Sequence, residues 1–150
     1  MRALITIFIC LTICACSPKH YSAATPILEA KRELSKYNME MNYGKNSFSG
    51  LLLFMENDKG EIIIHGSTLF GLTVFNFGLT EERWNIYSCI EPLKGKRVQK
   101  LLENDFRRLF LPGGKGKNID IYPPEDGKGR QVVIRHKLLG IEMMFEEIVN

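Results

Sequence analysis

Phe48-Ser49-Gly50-Leu51-Leu52-Leu53-Phe54-Met55 is apolar at nearly every position, and no polar residue interrupts its second half. A strand with water on one face alternates polar and apolar residues, so this run predicts a strand covered on both faces. The sequence around it agrees with a sheet. Upstream, Tyr37, Met39, Met41 and Tyr43 alternate with Asn38, Glu40 and Asn42, a period of two that predicts a strand with one wet face. Gly44-Lys45-Asn46 forms a turn between the two, and Asn57-Asp58-Lys59-Gly60 a second hairpin turn. Further strands are expected at Glu61 to His65, Phe70 to Phe77 and Trp84 to Ile90. The spacing is that of an antiparallel meander.

One convincing helix follows. Val98, Leu101, Leu102, Phe106, Leu109 and Phe110 fall on a single stripe, with Lys96, Arg97, Lys100, Arg107 and Arg108 largely away from it, and Pro112-Gly113-Gly114 ends it. Strands are then expected at Asn118 to Tyr122, Gln131 to Lys137 and Ile141 to Ile148. A second, brief helix is expected at Pro26 to Lys36, with Thr25 as its cap. The expected fold class is α+β: a strongly curved antiparallel sheet, a half-barrel, packed on one main amphipathic helix. Several strands lack a polar face and one helix covers little of a sheet. Either the sheet curls around the helix, or its concave side holds an apolar cavity.

The other end of the chain carries a different signal. Met1-Arg2 is a short positive start, and Ala3 to Ile13 is apolar apart from Thr6, Cys10 and Thr12. That run is shorter than the ~20 residues of a membrane-spanning helix and has the anatomy of a secretory leader. It ends Ile13-Cys14-Ala15-Cys16. This resembles the bacterial lipobox, in which an aliphatic residue, a tolerant position and a small residue precede a cysteine that takes diacylglycerol. The resemblance implies cleavage between Ala15 and Cys16, acylation of Cys16 (palmitate being the usual label for it), and a membrane anchor held stably by more than one chain. The expected organisation is a signal peptide at 1–15, a lipidated tether at 16–25 and one half-barrel domain at 26–150. Ser17 stands where enterobacteria place the aspartate that retains lipoproteins in the inner membrane, which points to an outer-membrane protein facing the periplasm.

Composition narrows the function classes. A 150-residue chain with 45% hydrophobic and 25% charged residues suits one globular domain, and a net charge of +3 gives no reason to expect a nucleic-acid partner. Of four cysteines, Cys10 and Cys14 leave with the leader and Cys16 is acylated. Cys89 alone then remains, so neither an intrachain disulfide nor a thiolate metal site is expected. His20, His65 and His136 show no metal-binding spacing. Gly113-Gly114-Lys115-Gly116-Lys117 fails as a phosphate loop, because Leu111 stands where the first glycine belongs and Asn118 follows Lys117. Glu81-Glu82 and Glu146-Glu147 are adjacent, which on a strand puts them on opposite faces. No GxSxG elbow occurs. The expectation is a non-enzymatic protein with no cofactor, no metal and no catalytic residue.

Phe48-Ser49-Gly50-Leu51-Leu52-Leu53, Phe70-Gly71 running to Phe75-Asn76-Phe77, and Leu101-Leu102-Glu103-Asn104-Asp105-Phe106 together resemble a group of uncharacterised lipoproteins of the Bacteroidetes. More distantly they are similar to the carrier and receptor of bacterial lipoprotein localisation. That resemblance implies a half-barrel with helices over its open side and an acyl-binding cavity between them. The residues that would line it are Phe54, Phe70, Phe75, Phe77 and Trp84. The same aromatics also suit an ordinary filled core. Two functions are therefore expected to compete: binding of an acyl chain or lipoprotein ligand in the cleft, or a solid adaptor docking on an envelope protein complex.

Overall fold

The computed structural model describes residues 25–113, 118–124 and 128–149. Ala15, Cys16, the leader and most of the tether lie outside them. Eight strands form one sheet: β1 (Ser35–Tyr43), β2 (Asn46–Glu56), β3 (Ile62–Thr68), β4 (Thr73–Leu79), β5 (Trp84–Cys89), β6 (Ile119–Tyr122), β7 (Gln131–His136) and β8 (Ile141–Glu147). The helix α1 spans Lys96–Phe110, between β5 and β6. The order across the sheet is β5-β4-β3-β2-β1-β8-β7-β6 and every pairing is antiparallel. The sheet is not closed, and its edges are β5 and β6.

The alternation of β1 produces its expected result, with Tyr37, Met39 and Met41 buried and Asn38, Glu40 and Asn42 exposed. The run on β2 does not. Leu52 and Phe54 are sealed in the core, whereas Leu51, Leu53 and Met55 on the other face are only half-buried. No layer covers that face among the described residues, so neighbouring side chains across the pleat shield it. The stripe of α1 buries Val98, Leu102, Phe106, Leu109 and Phe110 as its periodicity requires.

Two other expectations fail for identifiable reasons. Residues 26–34 form no helix, because tertiary bonds take their backbone groups. Leu28 N donates to Leu109 O at 2.8 Å, and Glu56 N donates to Lys31 O at 2.7 Å. Phe70 is not in a strand. It sits at the tip between β3 and β4, where Gly71 adopts φ +79° and donates to Thr68 O at 2.9 Å. A Cβ at Gly66 would lie 2.5 Å from the ring of Phe75, so this glycine makes room for an aromatic lying flat on the sheet.

Candidate functional site

Of the five aromatics expected to line a cleft, Phe54, Phe75 and Phe77 are buried and Trp84 is half-buried. They close on the helix. The Phe106 ring lies 5.7 Å from Phe75, 6.0 Å from Phe77, 6.0 Å from Trp84, 6.2 Å from Phe110 and 6.4 Å from Phe145. Phe75 stacks on Phe77 at 4.9 Å, and Phe54 meets Phe110 edge-on at 4.8 Å. Four of the five thus fill the interior rather than line a hollow. Phe70, the fifth, is 93% exposed and touches none of these rings. The reason is local: it lies in the turn between Thr68 and Thr73, beyond the ladder whose inner face carries the others.

The polar feature that stands out lies where α1 meets β7. Asp105 occupies the apolar stripe of the helix and is 1% exposed. His136, the last residue of β7, places Nε2 2.8 Å from Asp105 Oδ2 and Nδ1 3.3 Å from Asn118 Nδ2. With the carboxylate ionised, Nε2–H donates to it and Nδ1 accepts from the Asn118 amide. In that arrangement both ring nitrogens have a partner. Burial raises the Asp105 carboxyl above the ordinary aspartate range, against the opposing pull of His136 and Arg108. Its other oxygen, Oδ1, has no partner among the described residues.

Beside this pair is an open depression of about 950 Å³ lined by Asn118, Asp120, Arg135, His136, Lys137, Leu138 and Leu139. Arg135 spans the strands beneath it, donating to Asp120 Oδ2 and to Glu142 Oε2, each at 2.8 Å. Both acidic partners hold that guanidinium in place, so it is not free to take an anion. A second, shallower depression is lined by Arg97, Lys100, Leu101, Asn104, Asp105, Arg108, Asn118 and His136. Neither contains any of the five aromatics.

No family model matches this chain, and neither a curated protein nor a solved structure matches it.

Cys89 is half-buried, and burial raises its thiol above the ordinary value; Gln99 Nε2 lies 3.4 Å from Sγ. Such a thiol is a poor nucleophile. His65 lies on β3 opposite Leu53 and Asn76, far along the sheet from His136. Among the described residues, no three His, Cys, Asp or Glu side chains gather where a metal could sit, and no helix is long and apolar enough to cross a membrane. The Asp105–His136 pair was missed at the sequence level, although one signal was present. Asp105 is seven residues after Val98 and three after Leu102, which puts a carboxylate in the middle of the apolar stripe.

Proposed function

We propose that this chain is a non-enzymatic, lipid-anchored protein of the bacterial envelope whose domain works by surface contact, as an adaptor with a solid interior. The observation that carries the reading is Phe106 in contact with five other rings, which leaves the space between helix and sheet occupied by side chains. An acyl chain in a cleft would need that volume. The same contacts support a curled, half-barrel sheet. β4 and β8 are four positions apart in the sheet order, about 19 Å if the sheet were flat. Phe106 nevertheless meets Phe75 and Phe77 on one and Phe145 on the other.

The anchor in this proposal is Cys16, acylated after residues 1–15 are removed, and Ser17 favours the outer membrane with the domain facing the periplasm. Two features support a protein partner. The sheet has open edges, and those edges carry exposed apolar residues: Ile86 and Tyr87 on β5, Ile121 and Tyr122 on β6. An unpaired strand edge of this kind accepts a strand from another chain.

Three measurements test the reading. Cells grown with labelled palmitate place label on the wild-type chain and none on Cys16→Ala. Organic extraction of protein beginning at Ser17 returns no stoichiometric acyl chain. Affinity purification of the anchored chain from membranes returns one protein in fixed ratio. Recovery of one acyl chain per protein would replace the adaptor with the cleft-binding reading, and unlabelled wild-type protein would remove the anchor.

A further inference from the structure

The two open edges of the sheet are built differently. β6 is four residues long, carries Asp120 and runs into Pro123-Pro124, whose rings leave no N–H to share. Charge, shortness and proline are features that keep a strand edge from pairing. β5 has none of them: Trp84-Asn85-Ile86-Tyr87-Ser88-Cys89 contains no charged residue and no proline. Its ladder to β4 continues one residue past each end, since Thr80 N donates to Arg83 O at 2.9 Å and Ile90 N to Val74 O at 3.0 Å. The open edge thus runs from Arg83 to Ile90, with Ile86 48% and Tyr87 53% exposed on it. Its one irregularity is a bulge that leaves Tyr87 without a residue opposite it on β4. That side chain is fastened to Glu61 instead, its Oη donating to Oε1 at 2.7 Å.

The two flanks of this edge differ in charge. Before it stand Glu81, Glu82 and Arg83, all exposed. After it stand Glu91, Lys94 and Lys96, also exposed, with Glu91 bonded to Lys94. Neighbouring elements do not reverse the balance. Arg107 reaches the first flank, but its Nη1 donates to Thr80 O and Glu81 O and its Nε to Glu103 Oε1. Glu61 adds a carboxylate there, beside Asn85 and Tyr87. At the second flank, the β3–β4 tip from Leu69 to Leu72 is uncharged and Lys100 is bonded to Glu103. Arg97 lines the depression that holds Asn118 and His136.

We propose that β5 pairs antiparallel with β5 of a second copy of this chain, about a two-fold axis, and so makes a dimer with one continuous sheet. Antiparallel self-pairing sets the acidic flank of each chain against the basic flank of the other, twice in one interface. In the register that places Tyr87 opposite itself, Arg83 meets Glu91 of the copy. Parallel addition would set like flanks together. A foreign strand could use the same backbone groups, but only a copy carries this charge order by construction. The pairing closes at two chains, because it consumes β5 of both and leaves the blunted β6 at either end. The dimer goes beyond the surface-contact reading. It needs neither the acyl anchor nor an envelope partner, and a monomeric result would leave that reading standing.

The test uses the chain from Ser17, which contains every element and the whole core described above. Sedimentation and amide hydrogen exchange are followed through a concentration series at low salt. The mass is expected to rise to twice that of the monomer and stop there. Added protection is expected at amides of Trp84 to Cys89 and none at Ile119 to Tyr122. Ile86→Lys places a charge on the edge and is expected to weaken dimerisation about tenfold or more, with an unchanged melting curve at the lowest concentration. Glu81→Lys with Glu82→Lys is expected to weaken it as well, and so is Lys94→Glu with Lys96→Glu. The chain carrying all four changes is expected to recover most of that loss, which an unfolded variant could not do. A mass that stays monomeric, dimers with unprotected β5, undiminished dimerisation of Ile86→Lys, or no recovery in the fourfold variant each overturns the proposal. So does protection of β5 that appears only with a different protein bound.

Discussion

His136 Nε2 sits 2.8 Å from Asp105 Oδ2, joining the last residue of β7 to the buried face of α1 across a separation of 31 residues. The carboxyl is raised by burial above its ordinary value of 3.8. The folded chain therefore holds this proton more tightly than the unfolded chain. Its stabilising effect is complete below that ordinary value and is lost as pH rises through the folded value. Asp105→Asn removes the titration and keeps an acceptor for the imidazole. Relative to wild type, it is expected to gain stability on going from pH 4 to pH 7. His136→Ala does the reverse, leaving a buried carboxylate without its donor at a cost of about 2–3 kcal/mol near neutrality. Urea midpoints measured across that range check both, and parallel curves for the variants and wild type would show that the pair is not coupled to folding.

Gly66 lies beneath the ring of Phe75, and a methyl group there would come within 2.5 Å of it. Phe75 is itself pinned by Phe77 and Phe106, so it has little room to yield. Gly66→Ala is expected to destabilise by about 1–3 kcal/mol, the range for overpacked interiors. Restoring volume with Phe75→Leu in the same chain should recover part of that loss. If the double variant is no better than Gly66→Ala alone, the clash lies elsewhere.

The helix and β1 were legible because each has a single buried face, and a single buried face leaves a period in the sequence. The strand expected at Phe70 to Phe77 begins only at Thr73, because apolar residues continue through the tip; Gly71, which takes a positive φ, marks the turn. The residues from Pro26 to Leu34 carried local helix signals, which tertiary bonds to Leu109 and Glu56 overrode. Leu51, Leu53 and Met55 suggested a second covering layer that the described residues do not supply. The Asp105–His136 contact depends on how α1 crosses the sheet, and no spacing along the chain encodes that crossing.

Phe106 and Phe70 make opposite predictions although both are large aromatics. Phe106→Ala opens a hole beneath the rings that surround it, and is expected to cost about 3–5 kcal/mol. Phe70→Ala removes a side chain already in water and should change stability by no more than about 0.5 kcal/mol. Equilibrium unfolding of the two variants separates a filled interior from a loose one. A small loss for Phe106→Ala would mean that the interior tolerates a vacancy, as a binding cleft must.

Glu61 ties the hairpin between β2 and β3 to the edge strand β5. Its Oε1 accepts from Tyr87 Oη at 2.7 Å and from Asn85 Nδ2 at 2.8 Å, and its Oε2 accepts from Asn57 Nδ2 at 3.3 Å. The Tyr87 hydroxyl is the largest influence holding the carboxyl below its ordinary value of 4.5, followed by the Asn85 amide. For a carboxyl lowered in this way the unfolded chain binds the proton more tightly. The bonds therefore stabilise the fold above the ordinary value, and that stabilisation is lost as pH falls through the folded value. Tyr87→Phe should move the titration of Glu61 back toward 4.5 and reduce the part of acid destabilisation that comes from this corner. The Glu61 carboxyl chemical shift followed through an acid titration reads the change directly. An unmoved midpoint in Tyr87→Phe would mean that the tyrosine hydroxyl is solvated rather than bonded, and that Asn85 is the β5 side chain that holds Glu61.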